Sequence, residues 1–178
     1  RAAKAPKPSD YISASTGQEL VIFNGFPGCG KSTFFNRVFK PQGYVHVNRD
    51  TLGDWKKCVA AADAALAAGK SVVVDNTSPS ADDRKRYTDL ALTKHKGVGL
   101  RCFQFLANQK LALHMNLVRA RLGIAARVPT MGYNMYKSKF EEPNAAAEGF
   151  SAEVIKVHPH ADFTGLPEGV EKLFLQLS

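Results

Sequence analysis

A short apolar run, Leu20 to Phe23, leads into Gly25-Phe26-Pro27-Gly28-Cys29-Gly30-Lys31-Ser32, and a helical pattern opens at Lys31. The eight residues satisfy GxxxxGK[ST], and a strand before and a helix after are the setting in which that pattern holds phosphate. Its glycines let successive backbone N–H groups turn inward as a nest for an anion, and the helix start adds partial positive charge. A lysine at Lys31 reaches β- and γ-phosphates, and a hydroxyl at Ser32 holds Mg²⁺. The alternative, a glycine-rich turn with an exposed lysine, is the weaker reading in this setting.

The pattern continues along the chain. Residues 18–24, 44–48, 71–75 and 99–106 read as strands, and residues 31–39, 53–68, 80–96 and 109–122 as helices, with Gly69 closing the second. Strands alternating with helices of this length imply an α/β fold, a parallel sheet with helices on both faces. Beyond Gly123 the pattern weakens to a short helix at 134–140 and strand-like pieces at 153–157 and 172–177. Residues 1–17, rich in Ala, Pro, Lys and Ser, read as a linker or arm, which leaves residues 18–178 as the domain.

Composition narrows the function. The 178 residues suit one domain, and 44% hydrophobic with 22% charged residues supports a core. No apolar stretch approaches the 18 residues of a membrane-spanning helix, so a membrane partner is not expected. No apolar signal segment is visible, and Arg1 in place of Met suggests a fragment or a processed chain. Cys29, Cys58 and Cys102 are far apart and form no CxxC pair, which argues against a disulfide framework or thiolate zinc and for a reducing compartment. His158 and His160, flanking a proline, make at most a weak metal pair. The net charge is +8, but residues 1–140 hold 22 Lys/Arg against 9 Asp/Glu, while residues 141–178 hold 2 against 7. The basic excess lies with the motifs and suggests a polyanionic partner, although solvated lysines alone also produce basic proteins.

Two carboxylates end strands. Asp75 follows Val72-Val73-Val74, where a parallel sheet meets its ligand, and it reads either as a Mg²⁺ partner or as a turn residue. Asp50 follows the second strand in Asn48-Arg49-Asp50-Thr51. It reads as a general base for an acceptor hydroxyl, or as a bystander to a helix start in which Thr51 and Asp54 form an N-terminal box. Arg119, Arg121 and Arg127 lie on or after the fourth helix, where a flap between Gly123 and Pro129 can bring positive charge over a transferring phosphoryl group. Each arginine alone also fits a solvated face. Arg84, Lys85, Arg86, Lys56 and Lys57 suggest a basic rim, and Trp55 either stacks on a base or packs in the core.

The strings GFPGCGKSTF, GYVHVNRDTLGDW and VVVDNTSP, with FEEPNAAAEGF later, resemble the kinase domain of the polynucleotide kinase 3′-phosphatase family over residues 18–157. The resemblance implies a P-loop kinase-like sheet with a lid segment, ATP and Mg²⁺ as cofactors, and nucleotide contacts from Gly25 through Ser32 to Thr33. It also implies that Lys31 and Ser32 bind ATP and Mg²⁺, that Asp75 lies beside the metal, and that Asp50 activates a 5′-hydroxyl. The run His114-Met115-Asn116-Leu117-Val118-Arg119 resembles the family's lid helix, which favours Arg119 over the phosphates. Met135-Tyr136-Lys137-Ser138-Lys139 resembles the phage member of this group. Three departures stand out. Ser78 replaces a frequent Asn, residues 122–133 align poorly, and Gly53 replaces an arginine that reads substrate phosphate in the phage enzyme. No aspartate-x-aspartate phosphatase motif is present, so the 3′-phosphatase would lie elsewhere in a longer chain.

The expectation is an ATP-dependent kinase for 5′-hydroxyl ends of nucleic acid, DNA before RNA, in strand-break repair. The nucleus is the expected site, with mitochondria second. Two rivals remain: a small-metabolite kinase with the same ATP chemistry, and a non-catalytic nucleotide-gated binder of nucleic acid.

Overall fold

The computed structural model describes residues 7–12 and 17–159. The strand expected at 172–177, and His160, lie outside the described residues. Five strands, β1 (Glu19–Asn24), β2 (Val45–Val47), β3 (Val72–Val74), β4 (Gly99–Phe105) and β5 (Ile155–Val157), form one sheet in the order β2-β3-β1-β4-β5. Every neighbouring pair is parallel. β1 is central and wholly buried, and its register sets Leu20 opposite both Val72 and Leu100. Parallel pairing demands crossovers, and helices supply them on both faces, as the alternating pattern implies.

Side chains alternate through the sheet. Leu20, Ile22, Val72, Val74, Leu100 and Cys102 face α3 (Trp55–Ala67) and α4 (Ala81–Asp89), which contribute Cys58, Ala62, Leu66 and Tyr87. Val21, Phe23, Val73, Phe103 and Phe105 face the other way. They meet Phe35 and Val38 of α1 (Lys31–Val38), Ala112 of α5 (Gln109–Arg121) and Tyr133 of α6 (Thr130–Lys139). That second layer is aromatic, with Phe23 making edge contacts to Phe34, Phe103 and Phe105 at 5.1–5.9 Å. Tyr11, from the expected arm, packs on Phe34 at 4.9 Å, and its carbonyl accepts from Arg101.

Several boundaries differ from the sequence pattern, each for a local reason. A separate short helix, α2 (Arg49–Leu52), precedes the helix expected at 53–68, which is α3 and starts at Trp55. Asn48 caps the first and Asp54 the second, and Gly53, at φ 91°, turns the chain between them. Thr51 is therefore inside a helix and not the cap of an N-terminal box. The helix expected over 80–96 keeps regular α geometry only to Asp89 and widens into a π turn at Leu90–Lys94. α6 starts at Thr130, earlier than expected, because Tyr133 and Tyr136 are buried and need the extra turn. A one-turn helix, α7 (Ala145–Glu148), was not anticipated.

α7 exists to meet Arg84. The sequence put Arg84 on a basic rim, but it is fully buried. Its Nε and Nη2 donate to the two carboxylate oxygens of Glu148 at 2.7 and 2.8 Å, and Nη1 donates to the carbonyls of Ser78 and Pro79. The guanidinium thereby ties the loop after β3 to α7. Removing one partner of a buried, bidentate ion pair strands the other. Glu148→Ala is expected to lower the unfolding free energy by about 3 kcal/mol, seen as a lower urea midpoint. Arg84→Met combined with Glu148→Leu should recover most of that loss.

Candidate active site

Between β1 and α1 the chain turns twice through left-handed geometry, at Gly28 (φ 74°) and Gly30 (φ 95°), and Gly30 starts α1. Gly25 is required for space. A Cβ there would stand 2.9 Å from both Cys29 Sγ and Phe105 Cβ. Lys31 is buried, and its Nζ donates to the carbonyls of Gly25 (3.1 Å) and Phe26 (2.7 Å) with Cys29 Sγ at 3.7 Å. The ammonium thus spans the inside of the loop formed by Gly25 to Gly30. Ser32 and Thr33, in the first turn of α1, are exposed at its rim, and Pro27 is half-buried. Phe26 packs against Tyr136 (4.3 Å) and Tyr133 (6.1 Å), so α6 covers one side of the loop.

Asp75, just past β3, is 3% exposed. Its Oδ2 accepts from Ser32 Oγ at 2.6 Å, from His46 Nε2 at 2.9 Å and from Asn48 Nδ2 at 3.3 Å. Burial pushes the Asp75 carboxyl up, but the His46 hydrogen bond, the Lys31 charge and the Ser32 hydroxyl outweigh it, and the net shift is downward. The group is therefore an anion at neutral pH. Its other oxygen, Oδ1, is buried with no hydrogen-bond partner. A hydroxyl beside a carboxylate with one unengaged oxygen fits Mg²⁺, which takes one or two protein oxygens and completes its shell with phosphate and water. Among the described residues no cluster of three His, Cys, Asp or Glu competes for a metal.

Asp50 stands in the single turn of α2, exposed, at the carboxyl edge of the sheet where the loop also lies. Asn48 connects it to Asp75. The Asn48 Oδ1 accepts the Asp50 N–H at 2.7 Å, and Nδ2 donates to the Asp75 carbonyl at 2.9 Å. The reverse link also exists, since the Arg49 N–H donates to Asn76 Oδ1 at 2.9 Å.

Of the three arginines, Arg119 is half-buried on α5 while Arg121 and Arg127 are exposed. Burial raises the Tyr133 hydroxyl to about 12, and the Arg119 charge acts on it in the opposite sense. That hydroxyl would lie 3.2 Å from a Cβ at Gly28, so Arg119 acts on a group that borders the loop. The flap expected between Gly123 and Pro129 is clasped. Asn116 donates to the Val128 carbonyl and accepts its N–H, both at 2.9 Å. Trp55 is not in the core. It is 40% exposed, with the Arg86 guanidinium 4.6 Å from its ring centroid.

His46, Asn48 and Asn76 were not read as site residues. The first two alternate with Val45 and Val47 along an edge strand, so the sequence places them on one side of β2 without saying what they meet. The loop can be tested at Gly28, where a side chain meets unfavourable φ and crowds Tyr133 Oη and the Ala112 carbonyl at 3.2 and 3.3 Å. Gly28→Ala is expected to cost about 1–2 kcal/mol and to abolish the rise in Tm that ATP with Mg²⁺ gives the parent protein. An equal ATP-induced rise in both would show that this loop does not hold the nucleotide.

No family model matches the chain. It is 37% identical over 141 residues to the bifunctional polynucleotide phosphatase/kinase of Schizosaccharomyces pombe, covering 79% of this chain and 34% of that protein. It is 37% identical over 128 residues to a putative bifunctional polynucleotide phosphatase/kinase of Acanthamoeba polyphaga mimivirus, covering 71% and 30%. Among solved structures, a gluconokinase from Sinorhizobium meliloti 1021 aligns with a TM-score of 0.57 at 16% identity, covering 90% of this chain and 98% of that one, a likeness of fold alone. The chain spans about a third of the length of the curated relatives it matches. Over that segment its sequence is similar to the bifunctional polynucleotide phosphatase/kinases, and it is folded as a P-loop kinase-like α/β unit.

Proposed function

We propose that the chain is an ATP-dependent kinase that transfers the γ-phosphoryl group to the 5′-hydroxyl of a polynucleotide end, DNA foremost, in the processing of strand breaks. The observation that carries this reading is the Asn48 bridge. One amide holds both the turn bearing Asp50 and the strand end bearing Asp75, so a candidate base and a candidate metal partner stand on one rigid edge. The relatives named polynucleotide phosphatase/kinases and the basic excess of residues 1–140 point to a polynucleotide acceptor. Residues 18–178 are the kinase domain in this reading, and the phosphatase belongs to another part of a longer protein.

In the transfer, the acceptor oxygen bonds to the γ-phosphorus, the bond from that phosphorus to the β–γ bridging oxygen breaks, and ADP leaves. Asp50, an exposed carboxylate, takes the proton the hydroxyl loses. Lys31 and Arg119 supply positive charge where negative charge spreads over the transferring group. The backbone of Gly25 to Gly30 and the exposed start of α1 bind the phosphates. Ser32 and Asp75 would hold Mg²⁺, which would neutralise phosphate charge when bound.

A kinase of a small metabolite would share the loop but has no use for a basic surface. The two readings separate in an assay with radiolabelled ATP and a 5′-hydroxyl oligonucleotide. Asp50→Ala is expected to lower kcat at least ~100-fold while ATP affinity stays within about twofold, and transfer by the parent protein should weaken steeply with salt. Normal labelling by Asp50→Ala would remove that residue as base. A free nucleoside labelled as readily as the oligonucleotide would favour the small-metabolite kinase.

A further inference from the structure

One residue beside the loop, with 32% of its side chain exposed, has no part in the transfer described above. His46, on β2, stands between two partners. Its Nε2 lies 2.9 Å from Asp75 Oδ2. Its ring lies nearly flat on Phe35, with centroids 4.0 Å apart and planes inclined by 13°. Phe35 is one turn along α1 from Ser32, and the Ser32 hydroxyl donates to the same Asp75 oxygen at 2.6 Å. Ser32, Asp75, His46 and Phe35 therefore close a ring that begins and ends on α1. An ionised carboxylate only accepts hydrogen bonds, so Nε2 is the donor.

The two Asp75 oxygens are treated differently. Oδ2 meets three donors, from Ser32, His46 and Asn48, whereas Oδ1 is buried and meets none. A carboxylate free to turn about its Cβ–Cγ bond would not keep that distinction. Ser32 cannot keep it alone, because its hydroxyl is the other candidate oxygen for the cation. Asn48 is already committed to the Asp75 carbonyl at 2.9 Å and reaches Oδ2 only at 3.3 Å. His46 makes the shorter contact and is braced from behind by an aromatic ring.

We infer that His46 is a positioning residue: backed by Phe35, it fixes the rotation of the Asp75 carboxylate so that Oδ1 is presented to the divalent cation that accompanies the nucleoside triphosphate. This rests on the proposed nucleotide chemistry and adds which group aims the metal-facing oxygen. Groups that orient a metal's ligands typically change metal affinity 10–100-fold when removed.

The probe is Mn²⁺, followed by electron paramagnetic resonance on the whole chain with a non-hydrolysable ATP analogue. His46→Ala is expected to weaken Mn²⁺ binding at least ~10-fold, to leave metal-free binding of the analogue within about twofold, and to raise KM for metal–ATP more than it lowers kcat. His46→Gln, which restores a donor, should recover most of the Mn²⁺ affinity. Urea midpoints of the variants separate this effect from loss of fold. Parental Mn²⁺ affinity in His46→Ala would overturn the inference, as would a Gln variant that folds normally but binds Mn²⁺ as poorly as the Ala variant. Parent protein that binds the analogue but no Mn²⁺ would overturn the inference and leave the loop's role intact. Parent protein that binds neither would overturn both.

Discussion

The site depends on a buried negative charge. Asp75 is withdrawn from water at the end of β3, a placement that costs several kcal/mol unless the charge is paired and hydrogen-bonded. Here the compensation comes from three elements. α1 sends Ser32 and the charge of Lys31, β2 sends His46, and the turn after β2 sends Asn48. The carboxylate can remain an anion only while those elements keep their positions, so the condition for its ionisation is also the condition for an assembled site. The sheet order makes this possible. Placing β3 between β2 and β1 brings the two turns and the loop to one edge, the usual address of ligands in parallel α/β sheets.

The other buried charges follow the same rule away from the site. Arg101 lies against Glu19 between β1 and β4, and Arg84 against Glu148 behind the loop that follows β3. Part of the positive charge counted in the sequence is thus engaged locally. Lys85 pairs with Asp89, and Arg86 pairs with Asp83 while lying over Trp55. A charge count overstates the free basic surface, because it cannot tell a guanidinium that holds two loops together from one that faces water. Arg84 is the clearest instance, since neighbouring Lys85 and Arg86 in the same helix stay at the surface.

The fold was readable because its signals are periodic and local. Val72-Val73-Val74, β-branched and following Gly69, reads as a buried strand, and the alternation of such runs with helical segments leaves few topologies. The glycine loop before α1 was readable because its glycines answer to backbone geometry, as the positive φ of Gly28 and Gly30 shows. Asp75 could be singled out because a carboxylate ending an apolar strand is conspicuous, whereas Asp50 lies beyond its strand in α2. What stayed hidden depends on contacts between distant residues. The alternation places His46 on one side of β2, but its role shows only when Phe35 and Asp75 are brought to it from 11 residues before and 29 after. The same holds for Asn116, whose partner is the backbone of Val128, and for Trp55, whose exposure is decided by Arg86 from another helix.

The central position of β1 has a consequence for how the molecule comes into being. Leu20 to Phe23 leave the ribosome before their partners, Val72 to Val74 and Leu100 to Phe103. At about 5–20 residues per second of synthesis, the strand waits several seconds for its first neighbour and longer for its second. During that interval α1 and α3 can cover its apolar side chains, but the strands that flank it cannot. The most buried segment of the finished protein is, for the nascent chain, the one that most needs shielding by chaperones.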